Sequence, residues 1–96
     1  MASSQRHRGG RQAARVTKEG QTEVWSKDLE DGSKAVGLFN LGEEEALATV
    51  KWPDLGLAGP QTVRNLWRQK DLGTFNGEFQ ASVPRHGVVL IRLIPR

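Results

Sequence analysis

Three glutamates in succession (Glu43-Glu44-Glu45), two aspartates in turn-like surroundings (Asp54 and Asp71) and two histidines (His7 and His86) are the side chains through which this chain could do acid–base or metal chemistry. The glutamate run follows Gly42, and three consecutive side chains diverge in any regular backbone. Without further ligands they cannot converge on one cation, so the run reads as a solvated loop. Asp54 and Asp71 fit positions where a carboxylate accepts from nearby backbone amides. His86, between Arg85 and Gly87, has no Ser or Cys in a nucleophile context to serve as a base for, and is assigned to bracing a turn. His7 stands in a basic N-terminal stretch and suggests no site. No catalytic residue, metal site or cofactor is expected from these patterns.

Trp25, Trp52 and Trp67 are the remaining candidates for a binding surface. Exposed tryptophans can stack on sugar rings, and with basic neighbours such as Arg64 and Arg68 they also suit single-stranded nucleic acid. Each also stands within or at the end of an expected strand among aliphatic residues, where packing in a core or interface is the ordinary use of an indole. The three are carried forward as carbohydrate or domain-interface contacts.

The elements that must position these residues belong to one small domain. A chain of 96 residues, 36% hydrophobic and 26% charged, supports a single thin core of ordinary soluble composition. It has no cysteine, so neither a disulfide framework nor a thiolate metal site supports that core. No apolar stretch approaches the roughly 20 residues of a spanning helix, and the basic N-terminus has no apolar segment behind it. The expectation is a soluble chain without a signal peptide or membrane span. Residues 1–18 contain five cations and no acid; since the whole chain carries +3, residues 19–96 carry −2. The basicity is that of a tail. Residues 1–12 are expected to be disordered and residues 13–96 to form the domain. Such a tail can meet nucleic-acid phosphates, but the mildly acidic remainder offers no second basic patch, which disfavours a nucleic-acid partner.

From Thr22 onward, turn signals recur every eight to twelve residues, the spacing of short strands in a sandwich or barrel. Glu23-Val24-Trp25-Ser26-Lys27 and Ala35-Val36-Gly37-Leu38-Phe39-Asn40 flank Asp31-Gly32, whose positive backbone angles predict a hairpin. A third strand places Ala46, Ala48, Val50 and Trp52 on one face and stops at Pro53. Residues 53–60 read as a loop with one helical turn, its leucines capping an end of the core. Residues 62–70 are ambiguous, because Val63, Leu66 and Trp67 also fit helical spacing. Later strands surround Thr74-Phe75 and run through Phe79-Gln80-Ala81-Ser82-Val83, with Gly73 and Gly77 at bends.

The closing run, Val88-Val89-Leu90-Ile91-Arg92-Leu93, enters through a tight turn at Pro84-Arg85-His86-Gly87. Val89, Ile91 and Leu93 fill one face while Val88 and Leu90 put apolar groups on the other. A strand apolar on both faces is usually covered on both, so a covering loop or partner domain is one reading; scattered exposed aliphatics are the other. The fold class expected is all-β, an antiparallel two-sheet β-sandwich of Greek-key type with seven or eight short strands.

Several of these segments, in this order, carry a resemblance. They are Glu23-Val24-Trp25-Ser26-Lys27-Asp28-Leu29 with Asp31-Gly32-Ser33, Ala35-Val36-Gly37-Leu38-Phe39-Asn40, and Trp52-Pro53-Asp54-Leu55-Gly56-Leu57. Asn65-Leu66-Trp67-Arg68-Gln69-Lys70-Asp71-Leu72-Gly73 and Val83-Pro84-Arg85-His86-Gly87-Val88-Val89-Leu90-Ile91-Arg92-Leu93 complete the set. Over about residues 11–94 the chain resembles the C-terminal β-sandwich domain of glycoside hydrolase family 27, the α-galactosidases or melibiases. Gly10-Arg11-Gln12-Ala13-Ala14-Arg15-Val16 resembles the segment leading out of that family's catalytic domain. The resemblance implies that the Leu66-Trp67 region is extended.

It also implies a parent enzyme that removes terminal α-galactose with retention, using two aspartates in a (β/α)₈ barrel that precedes the sandwich. A barrel needs about 200 residues or more. Retention needs two carboxyl groups about 5 Å apart across a sugar pocket, and no acidic residue here matches a catalytic motif of the family. The expectation is a non-catalytic accessory domain, inactive alone, whose partner is the barrel and whose last strand contributes to an apolar patch. An independent carbohydrate-binding module taking galactosides is the alternative, and a small nucleic-acid binder using the basic tail is a weaker one.

Overall fold

The computed structural model describes residues 13–95, and the expected tail, residues 1–12, lies outside them. Eight strands are formed among the described residues: β1 (Ala14–Glu19), β2 (Thr22–Asp28), β3 (Lys34–Asn40), β4 (Ala46–Lys51), β5 (Gln61–Asn65), β6 (Lys70–Phe75), β7 (Glu78–Val83) and β8 (Val88–Pro95). Six make one sheet in the order β1-β2-β3-β8-β5-β6, and β4 and β7 pair as a second. Every pairing is antiparallel. The closing strand therefore lies in the middle of the large sheet, between β3 and β5, with both edges hydrogen-bonded. This is the two-sheet sandwich that the strand spacing predicted.

The alternation in each strand decides what the sandwich encloses. Val24, Val36, Leu38, Val63, Ile91 and Leu93 come from the large sheet, and Ala48, Val50, Phe79 and Val83 from the small one. Trp52, only 1% exposed, enters from the 3₁₀ turn Trp52–Leu55 that Pro53 imposes after β4. Its indole Nε1 donates to the Phe75 carbonyl at 3.1 Å, so the largest core side chain also ties the β4 end to β6. Phe75 meets Phe79 edge to face, 5.0 Å between centroids. Leu55 and Leu57 pack against this core, as the loop reading expected.

Asn40 performs a second long-range closure. Fully buried, it donates through Nδ2 to the carbonyls of Glu44 (2.7 Å) and Val83 (3.0 Å) and accepts the Gly42 amide at Oδ1 (2.9 Å). One side chain thus satisfies three backbone groups where the chain leaves the large sheet for the small one.

Two local expectations are corrected. In the β2–β3 hairpin only Gly32 takes a positive φ (+89°), not both residues of the Asp31-Gly32 pair. The Gly32 amide donates to Leu29 O at 3.1 Å and the Leu29 amide to Ser33 O at 2.9 Å, which closes a three-residue loop ending in a glycine bulge. The ambiguous segment is strand only through Asn65; residues 66–69 form a turn, so Leu66 and Trp67 are not part of a strand. Asn65 Oδ1 accepts the Arg68 amide at 2.8 Å and Gln69 adopts φ +52°. An Asn side chain that captures an amide three residues on favours a turn over continued extension.

Candidate functional site

Among the described residues the structure brings together one pair of the acid–base candidates, Glu43 and His86, at the surface, and leaves the others apart. Glu43 Oε2 lies 3.1 Å from His86 Nε2, both side chains well exposed, and Glu45 accepts from Ser82 Oγ at 2.5 Å across the β4–β7 pair. Asn40 fixes the turn from which these glutamates diverge. Asp71 is bonded to Arg64 Nη1 at 2.8 Å, and Arg64 Nη2 also reaches the Gln69 carbonyl, so this carboxylate steadies the β5–β6 hairpin. Asp54 stands in the first turn after β4. No three His, Cys, Asp or Glu side chains group as metal ligands among the described residues. No helix among them is long and apolar enough to cross a membrane.

The three tryptophans have three different fates. Trp52 is core. Trp67 is 66% exposed at the β5–β6 tip. Trp25 is half-buried on the outer face of the large sheet, where its Nε1 donates to Glu23 Oε1 at 2.9 Å. Sheet register makes that outer face the most distinctive surface of the domain. Trp25 lies opposite Gly37, and Gly37 opposite Leu90, so the three form a row across β2, β3 and β8. The next row along β3 and β8 sets Phe39 against Val88.

Gly37 has a packing role here. A Cβ at this position would stand 2.7 Å from Phe39 Cε1 and 3.4 Å from Leu90 Cδ2, so the ring occupies the space a side chain would take. The result is a shallow hollow of about 190 Å³ lined by Ala13, Trp25, Ala35, Gly37, Phe39 and Leu90. Leu90, on the outer face of the closing strand, thus belongs to this patch, and the register sets Val88 opposite Phe39 on the same face.

Charges border the patch on two sides. On β1 and β2, Glu23 Oε2 lies 3.5 Å from Arg15 and 4.0 Å from Lys18. On β8, Arg92 Nε donates to Ser33 Oγ at 3.0 Å and Nη2 to Asp31 Oδ2, tying the β2–β3 turn onto the closing strand. Two hydrogen bonds from Ser33, side chain and then backbone, hold the Asp31 carboxyl below its ordinary value; desolvation opposes them, and the charge and hydrogen bond of Arg92 add lesser lowering effects. Sequence reading missed this cluster, because Arg92 and Asp31 become neighbours only through the Ala35–Arg92 register. It also passed over Gly37, although a lone glycine inside a strand pattern marks a close approach.

Comparison with known proteins matches this geometry to one family. Residues 19–93 fit the model of the family described as Alpha galactosidase C-terminal beta sandwich domain. A probable α-galactosidase of Dictyostelium discoideum is 34% identical over 80 residues, which is 79% of this chain and 21% of that protein. The crystal structure of a GH27 β-L-arabinopyranosidase from Geobacillus stearothermophilus superposes with a TM-score of 0.85 at 30% identity, covering 93% of this chain and 20% of that one. α-Galactosidase I from Mortierella vinacea superposes with a TM-score of 0.81 at 32% identity, covering 86% and 23%. The chain spans about a fifth of the length of each of these three proteins.

Proposed function

The chain belongs to the family of alpha galactosidase C-terminal β-sandwich domains, and from that membership we propose that it is a non-catalytic accessory domain of an α-galactosidase-like glycoside hydrolase. Its role is to pack against and stabilise a catalytic (β/α)₈ barrel. In this reading residues 13–96 are the domain and residues 1–12 a basic tail. The observation that carries it is the extent of the match: the family covers residues 19–93, taking in β2 to β7 whole and β8 up to Leu93, while the matched stretch is only about a fifth of the relatives' length. In such an enzyme the sugar pocket and its two carboxyl groups lie in the barrel. The sandwich contributes buried interface, which slows unfolding of the catalytic part. Relatives named for α-galactoside and for β-L-arabinopyranoside hydrolysis share the sandwich, which supports a role separate from substrate choice.

The test mixes the 96-residue chain with a barrel excised from an α-galactosidase of the family. The chain alone should release no nitrophenol from p-nitrophenyl α-galactoside, and its addition should lengthen the half-life of barrel activity on heating. Hydrolysis by the chain alone, or an unchanged half-life, would overturn the reading.

One observation favours a second reading, an independent carbohydrate-binding module. Trp67 presents most of its surface at the hairpin tip beside Arg68, and an exposed indole can stack on a sugar ring. Saturable binding of galactose or galacto-oligosaccharides that Trp67→Ala abolishes would support it, and calorimetry without heat of binding would dismiss it.

A further inference from the structure

We propose that the barrel docks on the outer face of the large sheet, over the Trp25–Gly37–Leu90 row and the Phe39 ring, and not on the outer face of β4 and β7. This inference rests on the accessory-domain reading above and adds to it the face and the contacting residues.

The first argument is connectivity. The family is a C-terminal domain, so in its members the rest of the enzyme precedes the sandwich. Here the chain enters the sandwich through β1, and Ala13, the residue before that strand, lines the hollow between Trp25 and Leu90. A domain joined ahead of β1 is thereby delivered to the rim of this face. Arriving at the β4–β7 face would require it to pass around the edge strand β1.

The second argument is surface chemistry. The hollow is almost wholly apolar, a half-buried tryptophan beside it has its indole N–H already bonded to Glu23, and Gly37 keeps the centre low. An apolar centre with an aromatic anchor and a charged rim is the arrangement of a protein interface core. Arg15, Lys18 and Glu23 on one side and Asp31, Ser33 and Arg92 on the other supply that rim in hydrogen-bonded or ion-paired form. The opposite face differs. Thr49 and Gln80 bond to each other there, Ser82 bonds to Glu45, and Leu47 is a single exposed aliphatic among them.

The absence of cysteine in the chain gives a direct experiment. Ala35→Cys, in the hollow, and Leu47→Cys, on the opposite face, are each made in the full chain, and both should retain the parent melting temperature within a few degrees. Maleimide labelling of this chain is followed by mass spectrometry with and without the excised barrel. At barrel concentrations about ten times the Kd, labelling of Ala35→Cys should slow about tenfold while Leu47→Cys reacts as before. Leu90→Arg should weaken retention of the chain on immobilised barrel, and Leu47→Arg should not.

Protection of Leu47→Cys alone, or of neither site while the barrel still retains the chain, overturns the docking face and leaves the accessory role standing. A barrel that neither retains the chain nor is stabilised by it overturns both. Protection of Ala35→Cys that rises with chain concentration in the absence of barrel assigns the face to a second copy and overturns the proposal.

Discussion

The ring of Phe39 lies over Gly37, at a distance where a methyl group on Gly37 would come within 2.7 Å of Cε1. A glycine inside a strand loses more conformational freedom on folding than other residues, by about 0.5–1 kcal/mol relative to alanine. Here an aromatic ring two residues along the same strand covers the exposed backbone.

That relationship predicts a non-additive pair. Gly37→Ala gains backbone entropy but must turn the Phe39 ring aside, so its net effect on urea-unfolding stability should stay within about 1 kcal/mol. In a Phe39→Ala background the same change meets no ring and should stabilise by about 0.5–1 kcal/mol. Equal effects in the two backgrounds would show that the ring does not occupy the glycine's space.

Trp52 should dominate the stability of the domain. Trp52→Ala removes a fully buried side chain and should cost about 3–5 kcal/mol, a large share of the total for a domain of this size. Trp52→Phe keeps most of the volume but leaves the Phe75 carbonyl without its indole donor, and should cost less than the alanine change. Urea midpoints for the two variants would establish the order.

Asn40→Ala should destabilise by about 2–4 kcal/mol, because the Glu44 and Val83 carbonyls and the Gly42 amide all lose their partner in the interior. Native-state hydrogen exchange should register the loss at Gly42, where the amide is expected to open first. Unchanged protection there would remove Asn40 as the device joining the two sheets.

The contribution of Asp31 should depend on pH in a fixed direction. The folded state holds this carboxyl below its ordinary value of 3.8, so its bonds to Ser33 and Arg92 stabilise the domain above that value and are lost as pH falls through the lower folded-state value. Asp31→Asn should therefore melt below the parent at pH 7, with the gap closing under strong acid. Because the side chain is exposed, the gap should also shrink in salt. A gap that stays constant with pH would exclude ionised Asp31 as the turn's anchor.

Most of the strands were legible because their information is local. Phe79, Ala81 and Val83 alternate against Gln80 and Ser82, Ala48 and Val50 do the same before Trp52, and Pro53 marks where that strand ends; each pattern needs only neighbours in sequence. The two-faced apolar run at Val88 to Leu93 also marked the last strand as unlike an ordinary one-sided strand; its central place, between β3 and β5, came from the structure. At the β5–β6 tip the helical spacing of Val63, Leu66 and Trp67 left the residues ambiguous and the family resemblance implied an extended segment, whereas Asn65 and a positive φ at Gln69 turn the chain.

What the sequence determined alone is most of the strands from Thr22 onward, the all-β class and the family, since period-two alternation and ordered motifs survive without knowledge of partners. What only the tertiary structure decided is which strands lie beside which, and in what register. That choice sets six strands against two, brings Arg92 to Asp31 and lines up Trp25, Gly37 and Leu90 into one apolar row. The physical reason is that register is fixed by hydrogen bonds and packing between residues far apart in the chain, and a slip of one residue would send each of these side chains to the opposite face.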